Sequence, residues 1–323
     1  MRIAIGTDQG VVILESVPGQ DETWKFVSHC YQERRFNCVI ESYNHSILAA
    51  TSQGALYKTK DYRNWMAAAD GLNGLNVTSL CSHPSNPLLM YAGTQPPQLY
   101  FSETAGLRWH KIESFNKIPG SDDWYYPEPP YRASLKCLIM HAQYPSVVLA
   151  GVSRGGFMGS LDGGATWMER HISIEREVNS LAMHPARSNR LFAATSTGLY
   201  RSDDLGSNWE LLQHGLPYSY ARCLVIAPGD ANHIMCCMSQ ARSADSPQVL
   251  LLSTDGGDSW QVKGTSLPNL SDQPVTCLDA CGSECFAFAT EKGNVYVTTN
   301  GGLFWRHIHR GTAAARSILF QGD

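Results

Sequence analysis

Three cations occupy the same register of the sequence. Lys136, Arg222 and Arg316 each follow the first residue of a short apolar stretch, in LKCLIM, ARCLVI and ARSILF. Aligning the comparable stretches FNCVIE, VTSLCS, VNSLAM and VTCLDA gives Asn37, Thr78, Lys136, Asn179, Arg222, Thr276 and Arg316 at that register. It is polar every time, and the residues before it (Phe36, Val77, Leu135, Val178, Ala221, Val275, Ala315) are apolar every time. The segments leading into these stretches are rich in further functional groups. They hold Arg35, Trp124, Tyr125, Tyr126, Glu128, Tyr131, Arg132, Glu175, Glu177, Tyr218 and Tyr220, while other loops bring Gln95, Arg154, Gln240 and Arg242. Cationic heads beside aromatic rings suit a carboxylate or phosphate carried on an apolar or sugar-like body. The expected ligand-binding set is Arg35, Asn37, Trp124, Tyr125, Tyr131, Arg132, Lys136, Arg154, Arg222 and Arg316, for a small anionic molecule or a protein segment. An enzyme could use the same groups for hydrolysis or elimination. Tyr131, Tyr218 or Tyr220 would be the proton donor, Glu128, Glu175 or Glu177 the base, and Arg132, Arg222 and Arg316 the anchors. Against both stands a plain structural role, in which the cations bond neighbouring loop carbonyls and acidic residues.

Other chemistry finds less support. HIMCCM (His233 to Met238) alternates His233, Met235 and Cys237 on one face, a pattern that suits a buried strand better than a soft-metal site. Cys277, Cys281 and Cys285 lie around one hairpin turn, where the last two can approach each other. No second paired-cysteine motif completes a zinc set, and no metal or cofactor is expected. His83, His141 and His184 recur at one turn position and read as turn architecture. Phosphate loops, dinucleotide fingerprints, Gly-x-Ser-x-Gly elbows and His-Glu-x-x-His motifs are missing.

The elements that must position these groups are set by a repeat. SLDGGATW (Ser160 to Trp167), SDDLGSNW (Ser202 to Trp209) and STDGGDSW (Ser253 to Trp260) are clear copies. TTNGGLFW, SETAGLRW and the shorter TKDYRNW are degenerate ones, and a nearly erased copy ends at Trp24. Ser and Asp oxygens can bond turn amides, Gly supplies positive φ, and Trp fills the space between sheets. Four short alternating strands surround each copy, as in VNSLAMHP, RLFAATSTG, LYRSDDLGSNW and WELLQHGLP. Seven such units predict an all-β, seven-bladed propeller as a single domain over 1–323. The blades run approximately 32–72, 73–120, 131–173, 174–217, 218–270 and 271–312, with an insertion at 121–130. The remaining blade joins 1–31 to 315–323, because the chain starts at the second strand of a unit and ARSILF reads as the missing innermost strand. Such closure removes open sheet edges.

Composition narrows the partners. A net charge of −4 argues against a nucleic-acid binder working by bulk charge, and no apolar run is long enough to span a membrane. MRIAIGTDQGVVIL reads as a strand, not an export signal. A cytoplasmic protein with reduced cysteines is therefore expected.

The Ser-x-Asp-x-Gly-x-Thr/Ser-Trp turn resembles the Asp-box of BNR-repeat, sialidase-like propellers, a group that includes glycoside hydrolases and the photosystem II assembly factor. The resemblance covers nearly the whole chain as architecture and implies the fold; in that superfamily the Asp-box turns lie away from the ligand face. The N-terminal Arg-Ile-Pro of sialidases is absent, so no sialidase catalytic residue is carried over. Resemblance to the assembly factor favours binding of a protein segment.

Overall fold

Each repeat folds as a four-stranded antiparallel meander, and among the described residues there are seven such sheets. The computed structural model describes residues 1–17, 19–68, 70–125, 132–170, 173–264, 267, 270 and 272–322. The innermost strands are Phe36–Ser42, Asn76–His83, Leu135–Met140, Val178–Met183, Tyr220–Ile226, Val275–Cys281 and Ala315–Gln321. Each touches the next in cyclic order, the last returning to the first, so the sheets form a closed ring. Ala315–Gln321 pairs antiparallel with Arg2–Thr7, and the C-terminal strand thereby completes the first blade. The seven-bladed architecture expected from the repeat is the one observed.

Burial explains the strand sequences. Second strands such as SILAAT, VLAGV and LFAAT are covered by blades on both faces and are buried at every residue. Their small apolar runs fit that double cover. Outermost strands such as Met66–Ala67 and Glu210–Leu211 are two residues long and exposed. Apolar clusters fill the gaps between neighbouring blades; one joins Leu149 and Phe157 to Val178, Leu191 and Trp209.

The Asp-box closes these gaps at the outer rim. In the copy at Ser160, the Gly164 amide donates to Ser160 Oγ (2.8 Å), and Ser160 Oγ donates to Asp162 Oδ1 (2.8 Å). The Thr166 amide and hydroxyl donate to the two Asp162 oxygens (2.8 and 2.6 Å). The same pattern recurs at Ser202–Asp204–Asn208 and Ser253–Asp255–Ser259. Hydrogen bonds from Thr166 hold the Asp162 carboxyl down to about 2. The box glycine is required by its surroundings. Gly206 has φ 81°, and a Cβ there would lie 2.2 Å from the Phe157 ring of the preceding blade. That ring meets Trp209 edge-on at 5.1 Å. In the first blade a long hairpin, Gly10–Val17 with Gln20–Cys30, replaces the box, and Trp24 packs near Phe320 at 6.1 Å.

The recurrent histidines are turn caps, as their spacing suggests. Nδ1 of His83 accepts from the amides of Ser85 and Asn86, His141 from Gln143 and Tyr144, and His184 from Ala186 and Arg187. Among the described residues, no helix is long and apolar enough to cross a membrane.

Candidate functional site: a ring of bulges at one mouth

The seven polar residues found by alignment share one backbone feature. In every innermost strand the ladder skips a residue: Phe36 and Cys38 face consecutive positions of the partner strand, as do Val77 and Ser79, and Leu135 and Cys137. The same shift occurs between Val178 and Ser180, Ala221 and Cys223, Val275 and Cys277, and Ala315 and Ser317. The skipped residues are Asn37, Thr78, Lys136, Asn179, Arg222, Thr276 and Arg316. A bulge removes its residue from the ladder and re-aims the side chain, which is how the apolar residue before it stays buried while this one is partly exposed.

The bulged side chains fall into two arcs. From the second to the sixth blade they staple one blade to the next. Asn37 Nδ2 donates to Val77 O (2.8 Å), Thr78 Oγ1 to Leu135 O (2.8 Å), Lys136 Nζ to Asn179 Oδ1 (2.9 Å) and Asn179 Nδ2 to Ala221 O (3.0 Å). The remaining three turn to their own blades. Arg222 donates through Nε to Ser239 Oγ (3.0 Å) and through Nη2 to the carbonyls of Ala241, Arg242 and Ser243 (3.4, 3.2 and 3.0 Å). Its guanidinium also lies 5.4 Å from the Tyr220 ring. Thr276 donates to Ala289 O (3.2 Å), and Arg316 grips Asp8 with two bonds of 2.7 and 2.5 Å.

Among the described residues, two cations here have no carboxylate to themselves. Arg35 and Arg316 converge on the one carboxylate of Asp8, with Arg35 Nε at 3.1 Å and also donating to Asn37 Oδ1 (3.0 Å). Burial and then the Arg316 charge push the Arg35 guanidinium down from its usual range. Arg316 itself is held up by its bond to Asp8, whose carboxyl is lowered by that same bond. Lys136 has the neutral Asn179 amide as hydrogen-bond partner, and burial lowers its ammonium, with Arg242 adding to the effect and Glu177 opposing it.

The other expected site residues are distributed around this mouth. Arg154 approaches the buried Glu177 at 3.9 Å. Glu175 is half-buried in the same segment. Tyr220 is buried, and burial followed by the Glu177 charge raises its phenol, the wrong direction for a phenolate. Tyr218 lines a groove of about 460 Å³ with Leu212, Leu216, Pro217 and Gln240, beside the bulge of Arg222. Trp124 is half-buried against Phe115, at 5.5 Å, within an apolar cluster. Tyr125 is exposed and forms a backbone bridge with Arg132, whose carbonyl accepts from Gln95 Nε2 (3.1 Å). Tyr126, Glu128 and Tyr131 lie outside the described residues. Among the described residues, no three His, Cys, Asp or Glu side chains come together as a metal site.

Asp8 is the site residue that pattern reading overlooks. It stands just after a second strand, where the other blades have Ser52, Gln95, Ser153, Ser196, Gln240 and Glu291. Aligning that register as well would have singled out the acidic residues Asp8 and Glu291.

The closed ring of meanders, the Asp-box turns and the bulged inner strands together define a seven-bladed propeller of the BNR, Asp-box kind. The family model described as sortilin, neurotensin receptor 3 (Sortilin-Vps10) matches residues 156–270, the stretch with the three best-kept boxes. No curated protein matches the chain in sequence. Among solved structures it is similar to the GH74 xyloglucanase from Xanthomonas campestris, with TM-score 0.70 and 13% identity over 96% of this chain and 52% of that one. It is also similar to YCF48 bound to a D1 peptide, with TM-score 0.59 and 12% identity over 94% of this chain and 86% of that one. YCF48 from Cyanidioschyzon merolae gives 0.58 and 13% over 85% of each chain. The chain spans about half or less of the GH74 enzymes it matches, at 38%, 45% and 52% of their lengths. At these identities the likeness is one of fold.

Proposed function

We propose that the bulge-ring mouth binds an anionic segment, a carboxylate-bearing stretch of a partner protein, with the adjoining groove beside Tyr218 taking its apolar neighbours. The observation behind this reading is the pair of under-neutralised cations, Arg35 sharing Asp8 with Arg316 and Lys136 facing a neutral amide. A ligand carboxylate placed there restores the missing charge and is held by charge-assisted hydrogen bonds. The solved complex of YCF48 with a D1 peptide gives a precedent for peptide binding on this architecture. The Arg154–Glu177 contact, which engages one of the candidate bases, weighs against the enzymatic reading of the same mouth.

Calorimetric titration with a short peptide rich in Asp and Leu, set against its Asn analogue, is the direct test. Tight binding of the acidic peptide, weakened at least tenfold by Lys136→Met and by added salt, is expected. Equal affinity for the two peptides would overturn the reading.

A further inference from the structure

Two pairs of cysteines face each other across strands in this protein, and they sit in opposite environments. Cys223 and Cys237 are register partners in the sixth blade and both are buried. Cys281 and Cys285 are register partners at the closing end of the hairpin Val275–Cys281 and Cys285–Thr290, separated by Gly282, Ser283 and Glu284. Cys281 is buried and borders the surface recess near Phe320, whereas Cys285 is partly exposed.

The turn carrying the second pair is braced from outside. Gly229 N donates to Gly282 O (3.0 Å), the His233 ring bonds Ser283 O (2.9 Å), and Gly301 N donates to Glu284 O (3.0 Å). Three successive carbonyls are thus fixed by neighbouring loops, and the two thiols are held together before any reaction. That arrangement favours intramolecular closure over attack by a second external thiol.

We propose that Cys281 and Cys285 form a thiol–disulfide exchange site that reacts with small-molecule disulfides of the glutathione class. Cys285, as thiolate, attacks one sulfur of the disulfide; the S–S bond breaks and one small thiol leaves and takes up a proton. Cys281 then loses its proton and attacks Cys285 Sγ of the mixed disulfide, releasing the second small thiol. Two protein thiols are oxidised and one small disulfide is reduced to two thiols.

The order of attack follows from the local chemistry. A hydrogen bond from Cys281 holds the Cys285 thiol down to about 7, and the same bond pushes Cys281 up. Elsewhere burial pushes Cys38, Cys81, Cys137 and Cys277 up to about 12, which leaves them poor nucleophiles.

The test is to incubate the folded protein with oxidised glutathione at neutral pH and follow intact mass and peptide maps. The wild type should lose two hydrogens and yield a linked 281/285 peptide. Cys281→Ser should stop at one glutathione adduct on Cys285, Cys285→Ser should form neither product, and Cys223→Ser should behave as wild type. An adduct appearing first on any other cysteine, or no reaction of the wild type at Cys285, would overturn the assignment. Circular dichroism of each variant separates a lost fold from a lost thiol.

Discussion

The Asp-box rim and the bulge ring both repeat a polar residue around the propeller, but they repeat different things. At the rim the residue identity returns, because each oxygen has an assigned donor: Asp255 accepts from the Asp258 and Ser259 amides, the Ser259 hydroxyl and Ser253. At the mouth only the position returns. The bulge recurs seven times while its residue changes among Asn, Thr, Lys and Arg. A backbone device that tolerates many side chains leaves room for selection on ligand contacts; a motif whose every atom is used does not.

The sharpest way to break that contrast is at the rim. Trp209, buried in the gap between blades, should cost about 3–5 kcal/mol of stability when changed to Ala. Calorimetric unfolding should register the loss while affinity for an acidic peptide stays the same. Affinity falling in step with stability would mean the two faces are not separable.

A departure in an apolar register gives the next largest effect. Where other inner strands carry Ile40, Cys81, Ile139, Ala182, Val225 and Leu319, the seventh blade carries Asp279. Its Oδ2 accepts from the Phe320 amide of the closing strand (2.7 Å). Burial, opposed by this bond, raises its carboxyl from 3.8 to about 7. Because the folded form holds the proton more tightly than the unfolded chain, the contribution of this group to stability is full below about pH 4. It falls as pH rises towards 7, by up to roughly 4 kcal/mol. Urea unfolding of Asp279→Asn across that window should show a flatter profile, and an unchanged slope would assign the pH dependence elsewhere.

The smallest effect tests the two guanidiniums on Asp8. Removing Arg316 breaks the bidentate bond and should destabilise by about 1–2 kcal/mol, discounted for its partial exposure. Arg35→Met should leave stability within about 0.5 kcal/mol yet weaken binding of the acidic peptide several-fold. The reverse pattern in unfolding and titration would exchange their roles.

Repetition made much of this legible in the sequence. Trp167, Trp209 and Trp260 mark the blades because each fills an equivalent gap, and ARSILF reveals ring closure because it is a strand without a unit. The polar register from Asn37 to Arg316 was equally readable. Its cause was not, since a bulge is a property of pairing between strands and leaves only a polar residue after a buried apolar one. The arc structure was hidden for the same reason: whether Arg222 reaches a ligand or the carbonyls of Ala241 to Ser243 depends on how a long loop folds back. Trp124, conspicuous as the Trp outside the repeat, packs against Phe115, a contact that no periodicity encodes.

The strand Ala315–Gln321 sets a schedule as well as a shape. Arg2–Thr7 leaves the ribosome well before one of its two strand partners, which is synthesised some 300 residues later. At ~5–20 residues per second the wait is roughly 15–60 s. Throughout it the first blade presents an unpaired, largely apolar edge that any passing strand could occupy. The cell must shelter this protein during synthesis more than after it, and a nascent chain stalled before residue 315 should aggregate where the finished ring does not.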